Sequence, residues 1–456
     1  MPIFIKRKFS KAKHFHFVGI GGISVSSLAV YALKAGFCVS GSDSNKTELT
    51  SKLSKLGVKI FYSQLQKNVY DADIVVYSSA CENNAEVLYA KRAGIPTFSR
   101  AQFLAMILKD YENTICVSGA HGKTTTTALI YEILQTAKKL PSLHLGGNLV
   151  SLKNSYCYAE KNYIACEACE YKDSFLELKP TIGVILNIAP EHLDYFKTFE
   201  NVKKSFAQFA KQSEFLVVNG ECEISHKNKI TFGYNNADFT AKNIVLQKNG
   251  KYSFDCYYKE NFYLKIKLNL IGKHNILNAL ASIAVAHLLQ VKKEDIYKAL
   301  ANFKGVERRF EFLHKKRFIV HDYAHHPDEI ASSIKETKIF YTKKLLIVFQ
   351  PHTYSRTKTL MDKFVNVLSI PNVVILPTYS AREKYDKSGS ALTLAKKLGK
   401  NAVYIQGKKK AKEYIMDKIN KGYGVLFLGA GDIYALAKNI AKMCWQCTFY
   451  VLKSIR

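Results

Sequence analysis

Residues 119–127 read Gly-Ala-His-Gly-Lys-Thr-Thr-Thr-Thr; they follow the apolar run Ile115-Cys-Val and precede a helical pattern. This order of strand, glycine loop, Lys-Thr and helix is typical of a loop whose backbone N–H groups bind phosphates. In such a loop Lys123 would contact the outer phosphates and the Thr124 hydroxyl would coordinate Mg²⁺. The loop has the short form GxxGKT, because Val117 stands where the longer Walker spacing has Gly or Ala. It predicts a central α/β domain that binds ATP.

The chain on both sides of this loop alternates short apolar strands with longer helical patterns. Such alternation is typical of parallel α/β sheets. A polar interruption at residues 109–114 and the segment Gly305-Val-Glu-Arg-Arg separate three successive α/β series. We therefore predict an α/β protein of three domains, which are a Rossmann-like domain over 1–108, a central P-loop-type ATPase domain over 109–308 and a second Rossmann-like domain over 309–456.

The clearest individual elements can be placed from their apolar runs and helical periodicity. Strands are predicted at His16–Gly19, Cys38–Asp43, Ile74–Tyr77, Ile115–Val117, Tyr163–Ala165, Ile182–Asn187, Phe318–Val320, Leu345–Phe349, Val373–Leu376 and Val425–Leu428. Helices are predicted at Asn275–Leu289 and Glu294–Phe303.

Composition excludes several classes of protein. Of the 456 residues 48% are hydrophobic and 23% are charged, so the chain can bury sizeable cores and is not a disordered protein. No apolar run reaches the ~20 residues that a membrane span needs. The basic amino end lacks the apolar stretch of a signal peptide. Ten cysteines are too few for a disulfide scaffold in a chain of this length, and they suit a reducing cytosol.

The charge balance is strongly basic, with 67 Lys and Arg against 37 Asp and Glu, a formal net charge of +30. A surplus of this size favours anionic partners such as phosphorylated substrates, nucleic acid or an acidic membrane surface. The lysines are scattered, however, and no arginine-rich stripe with interleaved aromatic residues is present. Solvation of the surface is therefore the simplest role for this surplus, and we predict no nucleic-acid partner.

A second glycine-rich turn lies near the amino end, where the chain reads Gly19-Ile-Gly21-Gly22-Ile-Ser24. With Asp43 downstream, this turn resembles a dinucleotide-binding fingerprint whose third glycine is replaced by Ser24. NAD is one ligand that such a strand-to-helix turn could bind. The diphosphate of another nucleotide would suit the same geometry.

Acidic and imidazole groups recur where strands of the middle domain end. Glu167-Ala-Cys-Glu170 follows one predicted strand, and Pro190-Glu-His192-Leu-Asp194 follows another. Ligands of open α/β sheets bind outside the carboxyl ends of the strands, so both segments could face the phosphate loop. Their carboxylate oxygens are the ligands that Mg²⁺ prefers. The sequence therefore predicts a magnesium site here.

Two histidine-containing segments follow apolar strands of the third domain. One reads His321-Asp-Tyr-Ala-His325-His326-Pro, and the other Phe349-Gln-Pro-His352-Thr-Tyr-Ser-Arg356. No spaced set of Cys and His completes a tetrahedral zinc site. Hydrogen bonding of a small polar substrate is the better interpretation, and Arg356 is suited to bidentate binding of a carboxylate.

Taken together, these motifs resemble the Mur ligases of peptidoglycan synthesis, from His16 to Asp432. The strings that carry the resemblance are HFVGIGG (16–22), GAHGKTTTT (119–127), EACE (167–170), PEHLD (190–194), GKHNILNA (272–279), ERRFE (307–311), DYAHHP (322–327), FQPHTYSR (349–356) and GAGD (429–432). The resemblance implies an ATP-dependent ligase that joins L-alanine to the lactyl carboxylate of UDP-N-acetylmuramate through an acyl phosphate. It implies ATP and Mg²⁺ as cofactors and a cytoplasmic monomer or homodimer.

Carried over residue by residue, the resemblance implies sites for both nucleotides. The ATP site would consist of Gly119, Ala120, His121, Gly122, Lys123, Thr124 and Thr125, with Asn275 at the adenine and Asp322 at the ribose. The UDP-sugar site in the first domain would consist of Gly19, Gly21, Gly22, Ser42, Asp43 and Ser79.

The resemblance also implies metal-binding, catalytic and amino-acid-binding residues. Metal ions would be held by Thr124, Glu167 and His192. The catalytic groups would be Lys123, His192, Arg308 and Arg309. The L-alanine pocket of the third domain would be lined by Tyr323, His325, His352 and Arg356.

The chain departs from the usual family motifs at several positions. Cys169 and Tyr171 replace the aspartate and the serine of an acidic segment that usually reads EADES. Ala120 replaces a customary threonine of the phosphate loop. Ser24 and Val25 replace a frequent Gly-Met at the amino-terminal turn.

Three alternative functions can be compared by the sequence features that support or oppose each of them. A recycling ligase that attaches a preformed murein tripeptide to the same UDP-sugar would be expected to read FEPRS where this chain has Phe349-Gln-Pro-His352. An NAD(P)-dependent oxidoreductase would use the turn at Gly19 but would leave the GKT loop unexplained. A basic nucleic-acid-binding module rests on net charge alone. The motifs favour the L-alanine ligase.

Overall fold

A computed structural model of the protein describes residues 3–159, 162–381 and 383–453. The described chain forms two compact units. The first runs to Val245 and includes Tyr252–Leu270 and His274–Val306. The second contains Leu246–Lys251, Ile271–Lys273 and the residues from Glu307 onwards.

The amino-terminal part of the first unit is a five-stranded sheet of order β3-β2-β1-β4-β5 whose paired strands are all parallel. Its strands are β1 (His14–Val18), β2 (Cys38–Ser42), β3 (Lys59–Phe61), β4 (Ile74–Tyr77) and β5 (Thr97–Ser99). The helices of this part are α1 (Ile3–Lys8), α2 (Ile23–Lys34), α3 (Glu48–Lys55), α4 (Ala85–Arg92) and α5 (Arg100–Leu108).

Both faces of this sheet are covered, as expected where helices connect parallel strands. Along β1 the side chains alternate between two clusters, with Phe15 and Phe17 in one and Val18 in the other. The helix α5 starts at Arg100 because Ser99 forms a reciprocal capping box with Gln102.

The second sheet of this unit has ten strands in the order β15-β14-β13-β12-β11-β10-β6-β9-β7-β8. They are β6 (Asn113–Ser118), β7 (Ser142–Leu149), β8 (Asn154–Cys157), β9 (Tyr163–Glu167), β10 (Ile182–Ile185), β11 (Phe215–Asn219), β12 (Lys229–Gly233), β13 (Phe239–Leu246), β14 (Lys251–Tyr258) and β15 (Asn261–Ile271). The helices are α6 (Lys123–Thr136), α7 (Leu193–Phe196), α8 (Phe199–Lys211), α9 (His274–Leu288) and α10 (Lys293–Asn302).

The central strand β6 is flanked by β10 and β9 in parallel register. One side of this part of the sheet packs against α6 and α9 through a single apolar cluster that contains Val117, Leu129 and Ile276. On the other side Cys116 and Cys166 are register partners, their Sγ atoms are 3.3 Å apart, and both residues are fully buried. Both are free thiols.

The second unit has a six-stranded sheet of order β16-β17-β21-β18-β19-β20, which is parallel except for the antiparallel pair β16–β17. Its strands are β16 (Glu311–His314), β17 (Ile319–Asp322), β18 (Leu345–Phe349), β19 (Val373–Ile375), β20 (Ala402–Tyr404) and β21 (Gly424–Leu428). Its helices are α11 (Pro327–Phe340), α12 (Tyr354–Thr359), α13 (Met361–Leu368), α14 (Ala391–Leu398), α15 (Lys408–Asn420) and α16 (Ile433–Lys453).

The predicted α/β class is confirmed, with parallel strands in each of three sheets. Each of the ten predicted strands and both predicted helices coincide with an element of the structure to within a few residues. The strands that were not predicted include β7, β11, β12 and β15 as well as the short edge strands β3, β5, β8, β16 and β20. The boundary near residue 108 stays a prediction, because the first two sheets belong to one compact unit. No helix within the described ranges is both long enough and apolar enough to cross a membrane.

Candidate active site

The phosphate loop connects β6 to α6 and has two glycines with positive φ. Gly119 has φ +139°, and a Cβ there would lie 3.0 Å from the Cβ of Leu186. Gly122 has φ +88°, and a Cβ there would lie 2.5 Å from Oδ1 of Asn278. Both the backbone conformation and the lack of space therefore require glycine at position 122.

The middle of the loop is held by Asn187, which follows β10. The N–H of His121 donates to Asn187 Oδ1 at 2.8 Å, and Asn187 Nδ2 donates to the carbonyl of His121 at 3.0 Å. The N–H of Ala120 donates to the Asn187 carbonyl at 3.2 Å. One side chain and its backbone thus fix the path of the loop between its two glycines.

Lys123 is the first residue of α6, and its ammonium is surrounded by oxygen atoms. It donates to the carbonyls of Gly119 and Ala120 and to the carboxylate of Glu170. Burial works to lower the pKa of Lys123, but the negative charge of Glu170 outweighs it, and the pKa is raised overall. Lys123 is therefore a permanent cation at the amino end of α6.

Thr124 and Thr125 continue the first turn of α6, where Thr124 is buried and Thr125 is half-buried. Glu167 ends β9, and its carboxylate accepts a hydrogen bond of 2.7 Å from the N–H of Gly146. Next to it, a Cβ at Gly147 would lie 3.5 Å from Cγ2 of Thr124. Gly146 and Gly147, the glycine pair in β7, thus lie beside Glu167 and Thr124. These are two of the three residues predicted to hold metal.

The third of them, His192, lies in a different group of possible ligands. Glu170, Glu191 and His192 each offer a ligand atom, and these atoms lie within 4.8 Å of one another. His192 has φ +56°, and its Nε2 is 3.8 Å from Oε1 of Glu170. Two carboxylates and an imidazole are a suitable donor set for a divalent cation.

Asn275 is buried in the first turn of α9, close to the phosphate loop. Its Oδ1 accepts a hydrogen bond of 2.9 Å from Asn278 Nδ2. The Oδ1 of Asn278 is the atom that a Cβ at Gly122 would meet. The structure thus brings the residue predicted at the adenine next to the loop predicted at the phosphates.

The amino-terminal glycine turn joins β1 to α2. The N–H groups of Gly19 and Ile20 both donate to the carbonyl of Ser42, at 2.8 and 3.0 Å. The N–H of Gly21 donates to Oδ2 of Asp43 at 2.9 Å, and a Cβ at Gly21 would lie 2.7 Å from that oxygen. The Asp43 carboxylate therefore holds the backbone of the turn in place.

The remaining residues predicted to bind the UDP-sugar differ in exposure. Gly22 is the N-cap of α2. Ser79 is half-buried just beyond β4. Ser42 is fully buried, and its hydroxyl donates to the buried carboxylate of Glu86. The Ser42 side chain is therefore directed into the interior of the domain, and its backbone carbonyl is used by the turn.

In the second unit, Asp322 ends β17 and is held by its own domain. It accepts hydrogen bonds from the Ser333 hydroxyl and, at 3.4 Å, from the N–H of Phe310. The guanidinium of Arg308 lies 4.5 Å from the ring centroid of Tyr434. Arg309 stacks in the same way on Tyr323, at 4.8 Å. Arg308 has φ +66°, so the backbone is left-handed where these two arginines diverge.

The four residues predicted to line the amino-acid pocket come together beyond β17 and β18. The ring centroids of Tyr323 and His325 are 5.3 Å apart, and those of His325 and His352 are 5.7 Å apart. A guanidinium nitrogen of Arg356 lies 3.1 Å from Nδ1 of His352. Burial, followed by the charge of Arg356, lowers the pKa of His352 to about 4.

His325 is also neutral at physiological pH. Burial lowers the pKa of His325 to about 4, and the neighbouring Glu329 only partly offsets this. Its Nδ1 lies 3.0 Å from the carbonyl of Tyr323. The pocket therefore combines one fixed cation with two neutral imidazoles, a set suited to an amino acid carboxylate and its polar neighbours.

Three residues of the phosphate-loop region were not named among the predicted site residues. Asn187 ends a predicted strand but was given no role. Glu170 and Glu191 lie inside the two segments whose carboxylates predict a magnesium site, but neither was named individually as a metal ligand. The signal was available for the two acids, since each lies near a predicted metal ligand in the chain, but only the fold brings them together.

Comparison with known proteins finds three family models along the chain. The model described as Mur ligase family, catalytic domain, matches residues 14–112. The Mur ligase middle domain matches residues 117–286. The model described as Mur ligase, glutamate ligase domain, matches residues 308–431.

Curated and solved relatives cover nearly the whole chain. The UDP-N-acetylmuramate–L-alanine ligase of Clostridium acetobutylicum is 40% identical over 444 residues, which are 94% of this chain and 97% of that protein. The crystal structure of the UDP-N-acetylmuramate–alanine ligase of Thermotoga maritima matches with a TM-score of 0.82 and 29% identity, over 96% of this chain and 100% of that one. A murein peptide ligase of Psychrobacter arcticus matches with a TM-score of 0.72 and 21% identity, over 94% and 98% of the two chains.

Proposed function

This chain belongs to the Mur ligase family, and from that membership and the geometry of its phosphate loop we propose that it joins L-alanine to UDP-N-acetylmuramate at the expense of ATP. The observation that carries the proposal is the half-buried ammonium of Lys123 at the amino end of α6, which lies in a loop whose backbone requires glycine at position 122. The reaction would supply a precursor of peptidoglycan in the cytoplasm, with the protein acting as a monomer or homodimer.

The first half-reaction activates the acid. An oxygen of the lactyl carboxylate attacks the γ-phosphorus of ATP, the bond from that phosphorus to the β,γ-bridging oxygen breaks, and ADP leaves. The product is an acyl phosphate. Lys123 would stabilise the charge on the β- and γ-phosphates, while the backbone N–H groups of the loop and of the first turn of α6 orient them.

The second half-reaction forms the amide. The α-amine of L-alanine attacks the acyl carbon, and the carbon–oxygen bond to phosphate breaks through a tetrahedral intermediate. The attacking nitrogen loses one proton, and inorganic phosphate leaves with the electrons of the broken carbon–oxygen bond. Positioning of the amine against the acyl phosphate would account for much of the rate enhancement.

Glu170, Glu191 and His192 fit a divalent cation in number, chemistry and spacing, and Thr124 with Glu167 fits a second site beside the glycine pair of β7. Bound Mg²⁺ would neutralise the negative charge of the γ-phosphoryl group while that group is transferred. We keep Thr124, Glu167 and His192 as the predicted metal ligands and add Glu170 and Glu191 to them. Arg308 and Arg309 stay proposed catalytic residues of the second unit.

The amino acid would be bound in the second unit by Arg356, with Tyr323, His325 and His352 around it. The arginine would pair with the carboxylate of L-alanine. Because His325 and His352 are neutral, each can donate one hydrogen bond and accept another without adding charge. Asn275 and Asp322 would contact the adenosine, and the turn at Gly19–Gly22 with Asp43 and Ser79 would bind the UDP moiety.

Family membership favours this ligase over the oxidoreductase and the nucleic-acid-binding alternatives. Between the two ligases, the 40% identity to an L-alanine ligase supports free L-alanine over a preformed tripeptide as the second substrate. The segment Phe349-Gln-Pro-His352 supports the same choice.

A phosphate-release assay tests the proposal. Purified protein, ATP, Mg²⁺ and UDP-N-acetylmuramate should release phosphate when L-alanine is added, and much less with glycine, L-serine or the murein tripeptide. Mass spectrometry should find one alanine added to the UDP-sugar. Release that depends on the tripeptide and not on L-alanine would instead identify the recycling ligase.

A further inference from the structure

Behind the amino-terminal glycine turn, four polar side chains from both parts of the first unit form a continuous chain. Arg100 donates from a guanidinium nitrogen to the Ser24 hydroxyl at 3.2 Å. Ser24 Oγ lies 2.8 Å from Nε2 of His144, and Nδ1 of His144 lies 2.9 Å from Oγ of Ser27. Ser24 and Ser27 lie on α2, His144 lies on β7, and Arg100 begins α5.

The direction of each hydrogen bond in this chain can be assigned. The Ser27 hydroxyl donates to the carbonyl of Ser24 at 2.8 Å, so its oxygen can only accept from His144. His144 therefore carries its proton on Nδ1, and its bare Nε2 accepts from the Ser24 hydroxyl. The remaining lone pairs of Ser24 Oγ face Arg100. Because the Ser24 hydroxyl donates its only hydrogen to His144, Ser24 Oγ can only accept a hydrogen bond from the guanidinium of Arg100.

His144 is suited to this fixed role because it does not titrate near neutral pH. It is 2% exposed, and burial, followed by the charge of Arg100, lowers its pKa to about 3. A protonated His144 would need Ser24 Oγ as an acceptor and would compete with Arg100 for it. The neutral imidazole keeps the chain in one arrangement.

Arg100 itself lies where a ligand of the first sheet would bind. It directly follows β5, and β5 lies beside β4 and then β1 in the sheet order. The carboxyl ends of these parallel strands lead to Arg100, Ser79 and the turn at Gly19, and open α/β sheets bind ligands at that edge. Within the described ranges no carboxylate lies within ion-pair distance of Arg100. Its charge is held in place by Ser24 but is not neutralised.

We propose that Arg100 binds a diphosphate oxygen of the UDP-sugar, and that Ser24 and His144 position it. The inference rests on the proposed function, because it assigns a residue to the UDP-sugar of that reaction. A guanidinium offers several N–H donors in one plane, so a contact with Ser24 leaves others for a phosphate.

The test compares R100M, R100K and S24A with the wild-type protein and with the control R92M. Arg92 is an exposed arginine at the end of α4 in the same sheet domain. Dissociation constants for UDP-N-acetylmuramate and UDP, inhibition by uridine, and KM for ATP are measured for each. We expect R100M to weaken binding of UDP-N-acetylmuramate and UDP about 10- to 100-fold, which is the loss of a charge-assisted hydrogen bond. Uridine inhibition and the KM for ATP should not change.

The remaining variants separate binding from positioning. R100K should recover part of the loss, because it retains the charge but not the planar fork. S24A should weaken UDP-sugar binding about 3- to 10-fold, and R100M/S24A should be no weaker than R100M, since Ser24 acts through Arg100. R92M should behave as wild type.

Three results would overturn the assignment. Unchanged UDP-sugar affinity in R100M would show that Arg100 does not contact the diphosphate. Equal losses for UDP-sugar, uridine and ATP would show that it only supports the fold. Additive losses in R100M/S24A would separate Ser24 from Arg100. If the wild-type protein itself failed to bind UDP-N-acetylmuramate, the proposed function would fall as well, which distinguishes that failure from one confined to Arg100.

Discussion

Both oxygens of the Glu170 carboxylate lie 3.0 Å from Nζ of Lys123. The carboxylate is 3% exposed and the lysine side chain 17% exposed, so this ion pair is largely screened from water. Removing one partner of a buried pair leaves the other charge uncompensated, which costs more than removing both. The stability and the catalytic roles of Lys123 can therefore be separated by mutation.

Lys123→Ala should abolish turnover and also lower stability. We expect kcat to fall at least 10³-fold, because the outer phosphates lose their cation. The melting temperature should fall too, because Glu170 is left buried without its partner. The double variant K123A/E170Q should recover most of the melting temperature but none of the activity. Lys139, which donates to the Tyr163 hydroxyl at 3.1 Å, provides the control K139A. A K123A protein with near-normal kcat would contradict the assignment of this loop to ATP.

Gly122→Ala should be more destabilising than an alanine at a glycine with the same backbone. Gly57 has φ +91°, close to the +88° of Gly122, but no atom lies within 4 Å of a Cβ placed there. Gly57→Ala should therefore cost only the left-handed backbone strain of about 1–2 kcal/mol. Gly122→Ala adds the clash with Asn278 and should also raise the KM for ATP. Denaturant unfolding and ATP kinetics of both variants check this. Equal destabilisation of the two variants would mean that the Asn278 side chain moves aside to accommodate the added methyl group.

Glu191→Gln should raise the Mg²⁺ concentration that half-activates the enzyme. Glu191 is one of three residues whose ligand atoms lie within 4.8 Å of one another, and the amide weakens one of two carboxylate ligands. We expect an increase of about 10-fold, with kcat at saturating Mg²⁺ reduced less. Glu200, an exposed residue of α8, gives the control E200Q. An unchanged Mg²⁺ titration would exclude Glu191 as a ligand.

Arg356→Lys should raise the KM for L-alanine at least 10-fold and leave the KM for ATP unchanged. Lysine keeps the charge but loses the planar pair of donors that a carboxylate prefers. It also loses the contact of 3.1 Å to Nδ1 of His352. Steady-state kinetics with each substrate varied in turn measure the split. A rise confined to the KM for ATP would show that L-alanine does not bind at Arg356.

His321 should make the protein less stable as the pH falls below 6.5. The side chain is fully buried, and burial, followed by the charge of Arg308, lowers its pKa to about 3. The unfolded chain then binds a proton at a pH where the folded protein does not, so stability is lost as the pH drops from about 6.5 towards 3. At pH 5 this amounts to about 2 kcal/mol.

His321→Leu removes this titration. Between pH 7.5 and pH 5 its free energy of unfolding should fall by about 2 kcal/mol less than that of the wild-type protein. Denaturant unfolding at the two pH values measures the difference. Parallel changes in the two proteins would show that His321 is protonated in the folded state.

The sequence predicted ten strands and the phosphate loop, because both are local patterns, although it missed the buried strand β11. Leu345–Phe349 is an uninterrupted apolar run, and it forms β18 with the same bounds. Gly119 and Gly122 lie three positions apart in one short motif. The short edge strands are only three or four residues long, and too few positions repeat to distinguish them from loops.

Groups that meet only through the fold were beyond prediction. Arg100 is a lone arginine at the start of a helix, and its partner Ser24 lies 76 positions earlier in the chain. Glu170 and Glu191 lie in segments that were predicted to face the phosphate loop together, but which of their atoms meet follows only from the fold, in which β9 and β10 flank β6 on either side. Ser42 stays a predicted residue of the UDP-sugar site; its hydroxyl is bound to buried Glu86, and its neighbour Asp43 holds the turn.

The rate at which the buried thiols of Cys116 and Cys166 react with a reagent reports how often the central sheet opens. They lie on the strands that carry the phosphate loop and Glu167, and both are inaccessible to solvent while those strands stay paired. An alkylating reagent can therefore reach them only when the packing around them opens, so their labelling rate measures how often this part of the core opens. Nucleotide bound at the loop should slow that rate, and the enzyme would then report its own occupancy through two atoms that never touch the substrate.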